Sequence, residues 1–310
     1  MLSSAAAARP RLFQCVDQLL TGTGPVLVPR VAVWAVVVVS VILLVLLVSF
    51  AIAPWHGSPL VRHEATTTVV VPDAPPPVAL SAADIRRLDE PWEWFQSSNE
   101  HRDLLDRIVR MRVELGRPLL ILDIGLNIGS APWAIARVCP DCEVYGFEPI
   151  PKYFAYAAYR LPPRDYPNIH LFNYAVCDHV ATGEHIWMET AANVGWNTLI
   201  AAERTATQVQ VPIVCVTVDI MRESGLLPRT IDLIKIDTEG AEHLVLRGMK
   251  RTIQTHSTPK PLLYIEVGWG RTRADWAQEL DAFQMLFDNG YRAYDMDQIT
   301  GTSMHWITPQ

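Results

Sequence analysis

The sequence has few cysteines and no cluster of basic residues. Its 310 residues include five cysteines, which are too few for a disulfide scaffold in a chain this long, and the odd number leaves at least one unpaired. Lysine and arginine total 26 against 33 aspartate and glutamate, for a formal net charge of −7. Because nucleic acid backbones are bound by clustered lysine and arginine, this balance argues against a nucleic acid substrate. A small-molecule or glycan partner fits the composition better.

The pair Cys139 and Cys142 has C-x-x-C spacing, but no second pair and no H-x-x-x-H follows it. A zinc site is therefore not expected, and no other ligand spacing in the chain requires a metal. Two interpretations remain, a local disulfide in a lumenal domain or two ordinary thiols at a helix-to-strand junction. We favour the thiols.

Charged residues are absent from 31 to 53, a run of 23 positions rich in valine, leucine and isoleucine. At about 1.5 Å per residue this run spans the roughly 30 Å hydrocarbon core of a bilayer. It is longer than the apolar region of a signal peptide and follows a long tail, which favours an uncleaved anchor. Three arginines precede the run, and Arg62 is the only lysine or arginine among the next twenty residues. This asymmetry predicts a cytosolic tail and a lumenal or extracellular body.

The composition divides the chain into five parts. Residues 1–30 form the predicted tail and residues 31–53 the transmembrane helix. Residues 54–80 contain six prolines and predict an extended, solvated stalk. Residues 81–117 predict N-terminal helices, one starting at Ser81 and one running from about 99 to 115. Residues 118–310 form the main domain.

From residue 118 onward, strand and helix patterns alternate, which predicts an α/β fold with a mostly parallel sheet and helices on both faces. The predicted strands are 119–123, 143–147, 169–176, 233–236 and 262–267, with 291–296 and 305–308 ending the sheet. The predicted helices are 130–138, 152–160, 242–253 and 274–289. The intervening stretch 184–218 predicts one or two hairpins. It contains Trp187, Trp196 and Asn197, and the tryptophans either contact an acceptor or pack at an edge.

The first predicted strand runs into a glycine turn and then a helix. Gly125 and Gly129 allow backbone N–H groups to approach a polar ligand closely. The dinucleotide fingerprint G-x-G-x-x-G is absent, because Asn127 occupies the middle glycine position and Ser130 takes the place of a glycine. This disfavours NAD, and a nucleoside cofactor without phosphates is the simpler hypothesis.

Acidic residues follow the other predicted strands, and ligands of open α/β sheets bind beyond the carboxyl ends of the strands. These residues are Glu148, Asp178, Asp237, Glu239 and Glu266. Glu148 lies 23 positions after Gly125, about where an acidic residue hydrogen-bonds the ribose hydroxyls of an adenosine-containing cofactor.

Four ordered motifs carry a family resemblance. They are LDIGLNIG at 122–129, GFEP at 146–149, NYAVCD at 173–178 and IKIDTEGAE at 234–242, the last followed by LRG at 246–248. Over about residues 118–268 the sequence resembles the FkbM-type S-adenosylmethionine-dependent methyltransferases. The resemblance implies a Rossmann-like class I methyltransferase sheet and S-adenosylmethionine as the cofactor.

The resemblance also implies roles for particular residues. The turn from Asp123 through Gly125, Asn127 and Gly129 to Ser130 would hold the methionine part of the cofactor. Glu148 would hold the ribose diol and Asp178 the adenine edge, with Asp237 facing the sulfonium and the acceptor pocket. Two positions depart from the family pattern: Leu126 replaces a small residue, and Gly268 stands two residues beyond Glu266, where the family often has a histidine.

A hydroxyl acceptor must lose its proton as the new bond forms, and the candidate bases are Asp237, Glu239 and Glu266, because clustered carboxylates raise one another's pKa. Glu239 has a second interpretation as a helix cap. Lys235, in a buried run, is expected to pair with one of these acids.

We therefore expect a membrane-anchored S-adenosylmethionine-dependent methyltransferase that methylates an oxygen of a sugar or another small hydroxylated acceptor. One alternative is an NAD-dependent or nucleotide-sugar oxidoreductase on a related fold, and another is an inactive, membrane-tethered methyltransferase-like binding protein. The expected location is a single-pass type II membrane protein of an endomembrane such as the Golgi, and a cytosol-facing domain remains the alternative.

Overall fold

The computed structural model describes residues 69–190, 195, 197–200, 206–255, 259–267, 276–293 and 303–310. The predicted tail, the predicted membrane span 31–53 and most of the stalk lie outside these residues. Among the helices of the described part, none is long and apolar enough to cross a bilayer.

Two helices precede the sheet, as the sequence predicted: α1 (Ala82–Ser97) and α2 (Arg102–Leu115). The α1 helix begins with a capping box in which Asp84 N–H donates to Ser81 Oγ and Ser81 N–H donates to Asp84. Bonds from Lys152 and Ser81 lower the pKa of Asp84 to about 2. The α2 helix ends at Gly116, whose φ of 64° is the left-handed conformation that commonly terminates helices.

The remaining elements alternate as the sequence predicted. In chain order they are β1 (Leu120–Ile124), α3 (Ser130–Val138), β2 (Glu143–Phe147), α4 (Pro151–Arg160), β3 (Ile169–Phe172), β4 (Ala175–Val176), β5 (Ala181–Glu189), β6 (Gln208–Val216), α5 (Val218–Glu223), β7 (Leu233–Ile236), α6 (Glu242–Gly248), α7 (Lys250–Gln254), β8 (Leu262–Val267), α8 (Trp276–Asp288), β9 (Tyr291–Ala293) and β10 (Ser303–Pro309).

Seven of the described strands form one sheet in the order β3-β2-β1-β7-β8-β10-β9. The first five are parallel, and β10 is antiparallel to both of its neighbours. Successive β1 residues face opposite sides: Ile121 shares a core with Leu104 of α2 and Ile135 of α3, whereas Leu122 shares one with Val245 of α6. Helices therefore cover both faces, and the predicted mostly parallel α/β fold is confirmed.

A second sheet contains the hairpin predicted within 184–218. Strands β5 and β6 pair antiparallel, and β4 joins β6 in parallel through Ala175 and Cys215. The single strand predicted for 169–176 is wrong, because Asn173 interrupts it. The Asn173 amide donates to the carbonyls of Glu148 (2.7 Å) and Pro149 (3.0 Å), and the chain leaves the first sheet at that point.

The single helix predicted for 242–253 is also divided. The α6 helix ends at Gly248, and Met249 takes φ −115° and ψ 19° before α7 begins. A Cβ on Gly248 would stand 1.9 Å from the carbonyl oxygen of Cys177, so this close approach of two backbones requires glycine.

The four cysteines of the described residues are bonded in two pairs, and the interpretation of Cys139 and Cys142 as thiols is wrong. The α3 helix ends at Cys139, and the turn that follows brings Cys142 N–H to the Cys139 carbonyl (3.1 Å), so that the Cα atoms are 5.3 Å apart and the disulfide forms. A second disulfide joins Cys177, just after β4, to Cys215 of β6. No local pattern marks that pair, because its members are 38 positions apart and meet only across a sheet.

The end of the predicted stalk packs against the domain. Residues 69–80 belong to the same compact unit as the sheet. The hydroxyl of Tyr174 donates to the carbonyl of Pro72 at 2.8 Å, and Val71 packs against one of the two cores.

Candidate active site

A cavity of about 300 Å³ opens at the carboxyl ends of β1, β2 and β7. This is the edge where ligands of parallel α/β sheets bind. Its wall includes most of the sequence-predicted site residues: Gly125, Asn127, Ser130, Glu148, Asp237, Glu239 and Glu266.

The turn after β1 is shaped by close backbone contact with β7. Gly125 has a φ of 88°, and a Cβ there would lie 1.7 Å from the carbonyl oxygen of Asp237. Asn127 also has a positive φ, 54°, and its N–H donates to Glu148 Oε2 at 2.7 Å. Ser130 then starts α3. The turn can follow this path only with glycine at position 125.

Glu148 is held rigidly at the end of β2. Its side chain is buried, and its two oxygens accept hydrogen bonds from Asn127 N–H (2.7 Å) and Ile150 N–H (2.8 Å). Burial raises the pKa of Glu148 to about 8 against the lowering effect of these two bonds. The carboxyl group is thus fixed in place before any ligand binds.

Lys235 forms the predicted ion pair and bridges two acids. Its Nζ lies 3.2 Å from Asp123 and 3.1 Å from Asp237. Burial alone would lower the pKa of Lys235, but the two carboxylates raise it above its ordinary value, so the ammonium stays charged. Asp123 is fully buried behind the cavity wall, whereas Lys235 and Asp237 line it.

Glu239 shares the cavity wall with Asp237 and Glu266. Its φ is 54°, and burial, followed by the negative charges of Glu266 and Asp237, raises the pKa of Glu239 to about 10. Glu239 does not cap α6, because the N-cap position is Ala241 and no side chain caps it. Glu242 Oε1 instead accepts from the loop N–H groups of Thr238 (2.8 Å) and Gly240 (3.2 Å).

Besides Asp123, two predicted cofactor residues lie outside the cavity wall. Asp178 is exposed, and its carboxylate lies 2.7 Å from His179 Nδ1. Gly129 faces α4, where an added Cβ would meet Leu161 and Ala157 at 3.0 and 3.2 Å. The wall near the third motif is formed instead by the side chains of that motif that precede Asp178, with Tyr174 among them.

The β5–β6 hairpin and its connection form another part of the wall. Ile186, Gly195, Asn197 and Leu199 line the cavity. The Asn197 side-chain oxygen accepts from Glu189 N–H at 2.9 Å, which fixes the amide. Trp187 does not line the cavity, and Trp196 lies outside the described residues.

The connection between α1 and α2 contributes cavity residues that the sequence did not reveal: Phe95, Glu100 and His101. The His101 ring stacks on Phe95 with 5.8 Å between centroids, and its Nε2 lies 3.1 Å from Ser130 Oγ. Burial, reinforced by the nearby Lys235 charge, lowers the pKa of His101 to about 4. No periodicity or motif marks His101, since it lies just before a helix and far from the four motifs.

Within the described chain, the one group of potential metal ligands that converges is Cys139, Asp141 and Cys142. Both of these cysteines are bonded to each other, so their sulfur atoms are not thiolates available to a metal.

Residues 123–293 match the family model described as the methyltransferase FkbM domain, which covers more than half of the chain. The chain belongs to the FkbM methyltransferase family. This family domain contains the four motifs, the glycine turn and the acidic wall, whereas α1 and α2 precede it.

Comparison of the FkbM domain with solved structures gives only low similarity. Magnesium protoporphyrin IX methyltransferase from Synechocystis PCC 6803 with bound SAM is 14% identical, with a TM-score of 0.38 over 76% of this chain and 100% of that one. Precorrin-6y C5,15-methyltransferase from Geobacter metallireducens GS-15 is 13% identical, with a TM-score of 0.37 over 68% and 87%. Such scores are too low to assign an activity. No match was found among curated proteins.

Proposed function

We propose that this chain is an S-adenosylmethionine-dependent methyltransferase that methylates an oxygen of a sugar or another small hydroxylated acceptor. The observation that carries the proposal is the fixed Glu148 carboxyl group on one side of a cavity whose other side holds Asp237, Glu239 and Glu266. The side with Glu148 suits a ribose diol, because the carboxyl group can accept hydrogen bonds from the hydroxyls. The side with the three acids suits a sulfonium cation, because negative charge attracts it.

The residues present fit this cofactor. The cavity of about 300 Å³ is within the usual size range of small-molecule sites. Gly125 is pressed against the Asp237 carbonyl, and the turn lacks the glycine pattern that receives a pyrophosphate. Glu148 offers hydrogen-bonding oxygens without needing to move. A nucleoside cofactor without phosphates therefore fits this site better than a dinucleotide.

S-adenosylmethionine, when bound, supplies an electrophilic methyl group for an in-line displacement. The task of the chain is then to hold the acceptor in line and to receive its proton. Glu239 retains its own proton at neutral pH, given its raised pKa of about 10, so it is a poor base in the cofactor-free state. Asp237 and Glu266 remain the candidates for the base, and Asp237 is held in position by Lys235.

The acceptor class is inferred from the walls that surround these acids. The β5–β6 hairpin brings the polar amide of Asn197 and the apolar side chains of Ile186 and Leu199 to the cavity. An aromatic ring, Phe95, faces the same space. Apolar and aromatic faces with a few fixed polar groups suit a sugar-sized, hydroxylated molecule.

We also propose that the domain faces a lumen or the cell exterior, anchored by the apolar run 31–53. The two disulfides support this orientation, because such bonds persist in oxidising compartments and are rare in the cytosol. A lumenal methyltransferase needs its cofactor supplied across the membrane, so this location requires a transporter for S-adenosylmethionine.

The test is calorimetric titration of the full-length protein with S-adenosylmethionine and, separately, with NAD. We expect S-adenosylmethionine to bind and NAD not to bind. At pH 9, above the pKa of about 8 of Glu148, the carboxylate is ionised, and Glu148→Gln should weaken S-adenosylmethionine at least about tenfold, since one hydrogen bond to a charged group contributes about 1.5–3 kcal/mol.

Glu143→Gln is the matched control, because Glu143 lies at the start of β2, the strand that leads to Glu148, but contacts His170 at 2.6 Å and does not line the cavity. Binding of NAD in place of S-adenosylmethionine would favour the oxidoreductase alternative. Equal affinities of the parent and of the folded Glu148→Gln protein would refute the proposed cofactor geometry.

A further inference from the structure

The α1–α2 connection closes one side of the cavity with residues that lie outside the family domain. This wall begins with Phe95, near the end of α1. Glu100 and His101 extend it to the start of α2. The family match begins at residue 123, so these side chains lie outside the matched domain.

His101 is positioned by two contacts from different elements. Its ring lies parallel to Phe95, with an interplanar angle of 6°, and its Nε2 lies 3.1 Å from the hydroxyl of Ser130. Ser130 is buried and is the first residue of α3, directly after the glycine turn. The imidazole therefore sits at the end of the cavity next to that turn, and Glu148 marks the ribose side.

Polar groups of two kinds surround this end of the cavity. His101, Ser130 and Lys235 can donate hydrogen bonds, whereas Asp237 carries an acceptor close by. An amino acid group carries both a carboxylate and an ammonium, and it matches such a mixed set of donors and acceptors. Lys235 is already engaged by Asp123 and Asp237, which leaves His101 and Ser130 as the better placed donors for a carboxylate.

We propose that His101 binds the amino acid carboxylate of S-adenosylmethionine, so that the α1–α2 connection serves as the methionine-side wall of the cofactor site. The inference rests on the proposed function. A neutral imidazole suits this role because one ring nitrogen carries a proton to donate, and the low pKa of His101, about 4, keeps the ring neutral.

Two ligands separate this role from a structural one. S-adenosylhomocysteine contains the amino acid group, and 5′-methylthioadenosine has the same adenosine and thioether but lacks that group. His101→Phe preserves a ring to stack on Phe95 and removes the hydrogen bond. In the full-length protein, we expect it to weaken S-adenosylhomocysteine at least about tenfold and to leave 5′-methylthioadenosine unchanged, as measured by calorimetry.

His101→Asn, which retains a donor, should recover part of the affinity for S-adenosylhomocysteine. His185→Phe is the matched control, because His185 is exposed on β5 and does not line the cavity. Unchanged binding of both ligands to His101→Phe would overturn the inference, and so would an equal loss of both, which would indicate a structural role. If the parent protein bound neither ligand, the proposed function itself would fail.

Discussion

Asn127 and Glu239 are the non-glycine residues of the described chain with a positive φ, 54° in each, and both line the same cavity. This left-handed conformation costs an L-residue about 1–2 kcal/mol, so the surrounding contacts must maintain it. The hydrogen bond from Asn127 N–H to Glu148 stabilises the conformation of Asn127. The hydrogen bonds from the N–H groups of Thr238 and Gly240 to Glu242 stabilise the backbone around Glu239. Backbone strain at these two positions indicates a wall shaped for a ligand.

Glu239 lines the cavity and carries a proton at neutral pH, because its pKa is raised to about 10. A sulfonium cation favours an ionised neighbour, so S-adenosylmethionine should bind with release of this proton. Because the pKa of Glu239 is about 10, the affinity should rise as the pH rises from about 6 to about 9, by up to about tenfold per unit.

S-adenosylhomocysteine, which has no charge on sulfur, is the reference ligand for this measurement. Burial raises the pKa of Glu148 to about 8, and the proposed contact of Glu148 is with the ribose that both ligands share, so its effect should cancel in the ratio of the two affinities. We expect the ratio to rise with pH in the parent protein and to stay constant in Glu239→Gln. A constant ratio in the parent would show that Glu239 does not sense the sulfonium.

The turn after β1 crosses the end of β7 in close backbone contact, and a substitution at Gly125 tests this contact. Gly125→Ala adds a Cβ 1.7 Å from the Asp237 carbonyl oxygen, so the turn or β7 must shift. We expect it to lower the free energy of unfolding by more than about 3 kcal/mol, since it adds a severe clash to backbone strain, and to abolish cofactor binding.

Gly183→Ala is the matched control for backbone strain alone. Gly183 has a φ of 83°, close to the 88° of Gly125, but an added Cβ would meet no atom within 4 Å. It should cost only about 1–2 kcal/mol and leave binding intact. Equal losses of stability in the two variants, measured by chemical denaturation, would contradict the close contact between the turn and β7.

The disulfides give a prediction at the same scale. Chain entropy assigns about 4 kcal/mol to a bond that closes a segment of 38 residues, such as Cys177–Cys215, and about 2 kcal/mol to one of separation 3, such as Cys139–Cys142. Replacing Cys177 and Cys215 together by alanine should therefore destabilise the oxidised protein more than replacing Cys139 and Cys142. With reductant present, both differences should largely vanish, and their persistence would argue against the bonds.

The local sequence pattern was sufficient to predict the elements whose bounds are set by their own residues. The bounds of α3, β2, β7 and β8 follow from apolar runs and flanking turn residues and agree with the structure. The break in the predicted strand at Asn173 and the break in the predicted helix at Gly248 could not be predicted in this way. Each depends on a backbone carbonyl distant in sequence, that of Glu148 for Asn173 and that of Cys177 for Gly248. His101 escaped notice for the same reason: only the folded chain brings it to Ser130.

The whole molecule combines an acidic, disulfide-bonded domain with an apolar run near its N-terminus. Residues 1–30 carry a net charge of +2, so the rest of the chain carries −9 of the total −7. The arginines before the run and the disulfides after it both favour a cytosolic tail and a lumenal domain.

Protease digestion of sealed vesicles that contain the full-length protein tests this orientation. We expect the domain from about residue 69 onward to be protected until detergent opens the vesicles, because the membrane would lie between it and the protease. Complete digestion without detergent would place the domain in the cytosol. A resident lumenal protein serves as the control for vesicle integrity.

The roles proposed for Glu148, Asp237 and the turn after β1 all depend on the position of the cofactor in the cavity. The most direct measurement is a crystal structure of the protein with S-adenosylhomocysteine. It should show the ribose hydroxyls hydrogen-bonded to Glu148, the sulfur facing Asp237 and the amino acid group beside the turn after β1. S-adenosylhomocysteine bound outside this cavity, or bound inside it without a contact to Glu148, would contradict the account.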